Sequence, residues 1–160
     1  MKNNKMDEAQ RVVLLIEDNL DHAELIMRSM QNNRVPSEIY HVPDGETALD
    51  YVFRRGEYAD REKTPRPYLI LLDLRLPRID GLEVLREIKG ASELRHVPVV
   101  ILTTSEAQTD MARAYDYHTN SYLVKPVDFE KFNQMVDDLC YYWLAWNRNS
   151  GSTQPTNKRT

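Results

Sequence analysis

Four short runs of apolar residues constrain the fold of this chain more than any other feature of its sequence. They are VVLLI at 12–16, YLILL at 68–72, VPVVIL at 97–102 and YLV at 122–124. Continuous apolar runs of this length are typical of strands buried on both faces of a parallel sheet. A fifth segment, EIYHV at 38–42, alternates more and predicts an edge strand.

Segments with helical periodicity lie between these runs. Apolar residues recur at helical spacing in 21–33, from Asp44 to residue 53, in 82–89 and in 129–146, and a weaker pattern covers 105–116 with Ser105 as its N-cap. Five strands that alternate with five helices predict an α/β fold with a parallel sheet and right-handed crossovers.

The two ends of the chain contain almost nothing that could be buried. We therefore expect a flexible N-terminus at 1–10, one folded domain at 11–146 and a disordered tail at 147–160. A chain of 160 residues suits a single domain. The polar, proline-punctuated stretch at 56–67 predicts a surface loop.

Charge and composition exclude several classes of protein. The formal net charge is −4 and there is no run of Lys or Arg, which argues against general nucleic-acid binding. The single cysteine, Cys140, rules out a disulfide framework and predicts a small packing residue. Neither a signal peptide nor an apolar stretch of about 20 residues is present, so no membrane contact is expected and we expect a cytoplasmic protein.

Carboxylate, hydroxyl and amine side chains directly follow the four apolar runs. Because the carboxyl ends of parallel strands meet at one edge of the sheet, these side chains are predicted to converge there. They are Glu17, Asp18, Asp73, Thr103, Thr104 and Lys125. Any one of them alone would be an ordinary cap or solvated turn, but their joint placement after four strands predicts a site.

Three carboxylates packed together repel, so either a proton or a cation must neutralise them. Oxygen ligands without His or Cys favour a hard cation, most simply Mg²⁺. A carboxylate can also attack phosphorus and form an aspartyl phosphate. Asp73 is the best-placed nucleophile, because it ends a central strand and begins a loop constrained by Pro77 and by the Asp80–Gly81 pair.

These residues and their surroundings resemble the receiver domains of two-component response regulators across about residues 11–146. The resemblance rests on LLIEDN at 14–19, DGETAL at 44–49, LILLDLRLPRIDGLEVL at 69–85, VPVVILTTS at 97–105 and YLVKP at 122–126. It implies a single-domain, flavodoxin-like receiver fold with a doubly wound five-stranded parallel sheet in the order 2-1-3-4-5.

The resemblance also implies a role for each site residue. Asp73 would accept the phosphoryl group, and Mg²⁺ would be bound by Asp18, Asp73, Glu17 and the backbone carbonyl of Arg75. Contacts to the phosphoryl group would come from Lys125, Thr103 and Thr104. Thr103 would be the switch hydroxyl coupled to the aromatic ring of Tyr122, and the bond between Lys125 and Pro126 would be cis.

Two positions in the family line the path of the water that attacks the phosphoryl group, and Arg75 and Ser105 occupy them here. We hypothesise that Arg75 folds over the phosphoryl group and slows hydrolysis. A solvated surface arginine is the competing interpretation. Arg75 also stands where an aspartate-nucleophile phosphatase would need its second acid, which argues against that class of enzyme.

A narrower resemblance is to single-domain regulators that serve phytochrome-type histidine kinases. It rests on the connector at 56–67, on 94–105 and 115–132, and on the aromatic end of the last helix. The expected function is to accept a phosphoryl group from such a sensor kinase and to signal through protein contacts, with no enzymatic activity beyond self-phosphorylation and self-dephosphorylation. The alternatives are a relay to a histidine phosphotransfer protein and an unphosphorylated interaction module.

The last predicted helix carries more large apolar side chains than one core-facing stripe can hold. They are Tyr141, Tyr142, Trp143, Leu144 and Trp146. We expect a homodimer or docking surface formed by Tyr141, Tyr142, Leu144 and Trp146. Alternatively, the tyrosines reach solvent and Trp143 is a core residue. The four histidines lack the spacing of metal ligands.

Overall fold

The computed structural model describes residues 11–33 and 35–150, so the N-terminal segment 1–10 lies outside the described part. Five strands alternate with five α-helices over this part of the chain. Their bounds are β1 Arg11–Ile16, α1 Leu20–Gln31, β2 Ser37–Val42, α2 Gly45–Val52, β3 Leu69–Leu72, α3 Gly81–Gly90, β4 Val99–Thr103, α4 Gln108–Asp116, β5 Ser121–Val124 and α5 Phe129–Tyr141.

All neighbouring strands are parallel, in the order β2-β1-β3-β4-β5, which confirms the predicted fold class. The register aligns the carboxyl ends of the strands. Ile16 lies beside Val42 on one side and beside Leu72 on the other, and Leu72 lies beside Ile101. Residues that follow β1 and β3 therefore emerge next to each other at one edge.

The three central strands are buried on both faces of the sheet. Alternate side chains point to opposite faces, so Leu14 and Leu72 pack with α2 and α3, whereas Leu15 and Leu71 pack with α1 and α5. The continuous apolar runs in the sequence thus mark strands covered on both sides, as predicted. Cys140 is fully buried in the second of these layers, as a packing residue.

α4 begins later than the sequence predicts. Its N-cap position is Ala107, which makes no side-chain capping bond, so the expectation that Ser105 caps this helix is wrong. The physical reason is that the Ser105 hydroxyl donates to Asp110 Oδ2 at 2.6 Å and accepts from the Ala107 N–H at 3.3 Å. The hydroxyl closes a turn before the helix instead of capping its first residues.

The connector 56–67 contains one short 3₁₀ turn, Gly56–Tyr58, and most of its residues are exposed. It is nevertheless attached to the domain, because Thr64 is buried and the Tyr51 hydroxyl donates to the Pro65 carbonyl at 2.9 Å. The predicted surface loop is therefore present, with an anchor near its C-terminal end.

The last helix continues beyond α5 as a π-helical turn, Tyr142–Trp146. Tyr142 and Trp146 are 54% and 68% exposed, but Leu144 is only 1% exposed. The expectation that Leu144 belongs to a contact surface is therefore wrong. Leu144 continues the row of core residues Val136 and Cys140 at a spacing of four, which keeps it on the buried side.

The chain remains attached to the domain after this turn. The Tyr68 hydroxyl donates to the carbonyl of Asn147 at 3.2 Å, and the Asn149 amide donates to the Tyr68 carbonyl at 2.9 Å. The predicted tail at 147–160 thus begins with residues that contact the domain, and 151–160 lie outside the described residues. No helix in 11–33 or 35–150 has the length and apolar character needed to cross a membrane.

Candidate functional site

Three carboxylates meet at the carboxyl edge of the sheet, as the sequence predicts. Glu17, Asp18 and Asp73 each offer an oxygen within 4.8 Å of the others. The backbone fixes two of them, because the Glu17 N–H donates to the Val42 carbonyl at 3.1 Å and the Asp73 N–H donates to the Ile16 carbonyl at 3.0 Å. Glu17 and Asp73 are buried and Asp18 is exposed, so the cluster opens to solvent on the Asp18 side.

Lys125 neutralises part of this charge. Its ammonium lies 2.7 Å from Glu17 Oε2 and 3.1 Å from Asp73 Oδ2, and its side chain is 2% exposed. The Lys125 N–H donates to the Thr103 carbonyl at 2.7 Å, which continues the pairing of β4 with β5. A buried ammonium therefore lies directly beside the candidate nucleophile.

The cluster remains electron-rich despite the lysine. The pKa of Glu17 is raised to about 7, chiefly by burial; the hydrogen bond to Lys125 opposes this rise and the charge of Asp73 adds to it. Three carboxylates face one ammonium, and the side-chain donors from these acids are all oxygens. This donor set suits a hard divalent cation, which would replace the missing positive charge.

The loop after Asp73 requires a glycine at Gly81. The Asp80 side chain caps α3 by accepting from the Leu82 N–H at 2.7 Å, and the Gly81 N–H donates to the Leu74 carbonyl at 3.0 Å. A Cβ at Gly81 would overlap the Asp73 carbonyl oxygen. The start of α3 can therefore pack directly against the end of β3, which holds Asp73 in place.

Thr103, Ser105 and Tyr122 are linked at the end of β4. The fully buried Thr103 accepts from the Ser105 N–H at 3.3 Å, and the Tyr122 hydroxyl donates to the Ser105 carbonyl at 3.0 Å. Thr104, the neighbouring hydroxyl, is exposed. The predicted switch residue Thr103 and its predicted aromatic partner Tyr122 are thus both hydrogen-bonded to the backbone of Ser105, one to its N–H and the other to its carbonyl.

Arg75 links the loop after β3 to α4. Its guanidinium Nη2 lies 3.2 Å from Asp110 Oδ2, its side chain is 68% exposed, and its backbone N–H donates to Asp73 Oδ1 at 3.2 Å. Arg75 is therefore an exposed ion-pair partner of α4. Such exposed pairs contribute roughly 0–1 kcal/mol, so Arg75 can leave Asp110 at little cost.

The family model of the response regulator receiver domain matches residues 13–137. This chain belongs to the response regulator receiver family. It is 47% identical over 140 residues to the probable methanogenesis regulatory protein FilR2 of Methanothrix harundinacea, with 88% of each chain covered. It is 39% identical over 134 residues to response regulator Rcp1 of Synechocystis, covering 84% of this chain and 89% of the relative.

Solved structures agree with this assignment. The phosphorylated cyanobacterial phytochrome response regulator RcpA superimposes with a TM-score of 0.84 at 39% identity, covering 89% of this chain and 99% of that one. The Mn²⁺-bound form of Rcp1 superimposes with a TM-score of 0.82 at 37% identity, covering 87% and 98%. The receiver fold is therefore shared over nearly the whole length of these relatives.

The bond before Pro126 differs from the expectation for this receiver. The described residues contain no cis peptide bond, so the Lys125–Pro126 bond is trans and the expected cis bond is wrong. The trans form is the intrinsically preferred one, by about 0.5–1 kcal/mol. Lys125 reaches Glu17 and Asp73 with this bond trans.

Two histidines that the sequence reasoning set aside lie at this receiver's site. His22 Nδ1 is 3.0 Å from the Lys125 ammonium, and His41 Nε2 is 2.7 Å from the Glu17 carbonyl. Neither histidine directly follows a strand or has the spacing of metal ligands, so the sequence pattern did not indicate them. Their positions were the only signal: His22 lies in the first turn of α1, four residues after Asp18, and His41 lies one residue before the end of the neighbouring strand β2.

Proposed function

We propose that this receiver is a phosphorylation switch in which Asp73 accepts a phosphoryl group from a sensor histidine kinase in the presence of Mg²⁺. The observation that carries the proposal is the Asp73 carboxylate, which follows β3 and lies beside a buried ammonium and two further carboxylates. This arrangement combines a nucleophile, a fixed positive charge and a set of oxygen ligands within one small cluster.

The proposed reaction is a direct transfer. An Asp73 carboxylate oxygen attacks phosphorus, and the bond from phosphorus to the donor breaks. The Lys125 ammonium would pair with the charged oxygens of the transferred group, and Thr103 and Thr104 would donate their hydroxyl protons to them. Asp18, Asp73, Glu17 and the Arg75 carbonyl would hold Mg²⁺, which supplies charge neutralisation at the phosphoryl oxygens.

The proposed phosphodonor is a phytochrome-type sensor kinase, which implies a cytoplasmic location. The similarity to RcpA, described as a phytochrome response regulator, supports this choice. A groove between α1 and the start of α5 also favours a protein donor. Leu20, Val127 and Phe129 are exposed near the site, and Val127 and Phe129 line this groove.

The proposed output passes through protein contacts. Occupation of Asp73 would shift the Thr103–Ser105–Tyr122 connection at the start of the β4–α4 loop. Tyr142 and Trp146 are exposed in the π-helical turn after α5, so they are the side chains proposed for a homodimer contact. The Tyr141 ring packs edge-on against Trp146, with the ring centroids 6.2 Å apart.

The test is the intact mass of the protein after incubation with acetyl phosphate, with and without Mg²⁺. Wild type should gain one phosphoryl group only with Mg²⁺, and Asp73→Asn should gain none, because its amide is a poor nucleophile. Asp116→Asn, an exposed aspartate at the end of α4, is the matched control and should behave as wild type. An adduct that persists in Asp73→Asn would refute the assignment of the phosphoacceptor.

A further inference from the structure

His22 completes the set of partners around the Lys125 ammonium. The nitrogen lies 2.7 Å from Glu17 Oε2, 3.0 Å from His22 Nδ1 and 3.1 Å from Asp73 Oδ2. An ammonium carries three protons and donates all of them. Each proton therefore has one acceptor. Two of these acceptors are carboxylate oxygens, and the third is the imidazole nitrogen of His22.

The contact fixes the protonation of the imidazole. Because an ammonium cannot accept a hydrogen bond, His22 Nδ1 must be the unprotonated ring nitrogen and Nε2 must carry the proton. Burial and the positive charge of Lys125 both lower the pKa of His22, which favours this neutral form. His22 also lines the groove between α1 and α5, beside the site.

The ring is held in position from two sides. On the backbone side, the His22 N–H donates to Asn19 Oδ1 at 3.1 Å, and the Asn19 N–H donates to Glu17 Oε1 at 3.1 Å. On the other side, the imidazole packs against Phe132 of α5 with ring centroids 5.9 Å apart. The acceptor atom is therefore preorganised relative to both the acidic cluster and the last helix.

We propose that His22 is a positioning residue for phosphoryl transfer, holding the Lys125 ammonium beside Asp73 when the carboxylates turn to a divalent cation. The inference rests on the proposed function of Asp73. Glu17 and Asp73 would be shared between the lysine and that cation, since a hard cation prefers their oxygens to an imidazole nitrogen. The hydrogen bond between His22 and the Lys125 ammonium can therefore persist when the two carboxylates bind a cation.

Three substitutions separate an acceptor role from a packing role. His22→Asn places an amide oxygen near the position of Nδ1, His22→Gln places it near Nε2, and His22→Phe retains a ring against Phe132 without an acceptor. With acetyl phosphate and saturating Mg²⁺, we expect His22→Phe to be phosphorylated about tenfold more slowly than wild type, the effect of one hydrogen bond to a charged group. His22→Asn should recover most of the rate and His22→Gln less.

A packing role predicts the opposite order, with His22→Phe at or above His22→Asn, and that result would overturn the inference, as would equal rates for all variants. The exposed His96→Asn is the control and should match wild type. Exchange of the Lys125 ammonium protons, followed by NMR without any phosphodonor, gives an independent readout. It should be slow in wild type and His22→Asn and faster in His22→Phe. If wild type takes no phosphoryl group but exchange follows this order, the proposed function fails and the positioning contact stands.

Discussion

Lys125 and Lys89 are each held by three hydrogen-bond acceptors, yet they lie at opposite edges of the same sheet. The Lys125 ammonium meets two carboxylates and an imidazole at the carboxyl edge. The Lys89 ammonium donates to the Arg95 carbonyl at 3.1 Å, the Val97 carbonyl at 2.9 Å and Asn120 Oδ1 at 2.8 Å, near the amino ends of β4 and β5.

The difference lies in the charge of the partners rather than in their number. Lys89 has neutral oxygens around it, and burial lowers its pKa to about 8. Lys125 faces three carboxylates, more negative charge than it can neutralise. The pKa of Glu17 is raised to about 7, chiefly by burial and in smaller part by the charge of Asp73. An ammonium among neutral oxygens joins segments of the fold, whereas an ammonium outnumbered by carboxylates leaves a place for a cation and a phosphoryl group.

The largest expected effect is on the rate of phosphorylation, which should depend on Lys125 and not on Lys89. Lys125→Met removes the positive charge beside Asp73, so phosphorylation by acetyl phosphate should slow by about 100-fold. Lys89→Met removes a lysine at the opposite edge and should leave the rate within about twofold. Intact-mass time courses measure both rates. An equal loss of phosphorylation rate in the two variants would contradict the claim that Lys125 takes part in the reaction whereas Lys89 only stabilises the fold.

The second effect is on stability. Lys89→Met leaves the Arg95 and Val97 carbonyls without their ammonium donor, so the free energy of unfolding should fall by about 1–3 kcal/mol. Lys63→Met, at an exposed position in the connector, should change it by less than about 0.5 kcal/mol. Urea unfolding with an unchanged slope measures the difference. A Lys89→Met protein as stable as wild type would show that these hydrogen bonds are dispensable.

The smallest effect is a pH dependence. The pKa of Lys89 is about 8 in the folded protein and about 10.4 in an unfolded chain. The unfolded chain therefore binds more protons between these values, and the contribution of Lys89 to stability rises with pH in this window. Partial exposure limits the rise to the order of 1 kcal/mol.

The destabilisation caused by Lys89→Met should accordingly be larger near pH 10 than near pH 8, whereas that of Lys63→Met should stay constant. Unfolding curves of the three proteins across this range measure it. A difference that shrinks with rising pH would mean that the carbonyl oxygens hold the ammonium more strongly than burial disfavours it.

The sequence predicts the site well where chemistry follows directly from a strand. Glu17, Asp73 and Lys125 each come within two residues of a strand end, and parallel register alone brings them together. His22 could not be found by that rule, because a helical turn returns it to the site. Lys89 gave no signal either, since its three acceptors lie in loops whose paths depend on the packing of α3.

Other errors arose where a side chain had a choice of partner. Ser105 was expected to cap α4, but it bonds to Asp110, which also receives Arg75. The aromatic neighbours of Leu144 predict a contact surface, although its spacing from Cys140 is that of a core residue. In both cases the sequence predicted the helix, but the contacts of the individual side chain decided its role: a local hydrogen bond for Ser105 and core packing for Leu144.

The most direct test of the central claim is to locate the phosphoryl group on the chain. Borohydride reduces an aspartyl phosphate to homoserine, and peptide mass spectrometry of the reduced protein identifies the modified position. After treatment with acetyl phosphate and Mg²⁺, the account predicts homoserine at position 73, and none when Mg²⁺ is omitted. Homoserine at Asp18 or at another aspartate, with Asp73 intact, would contradict it.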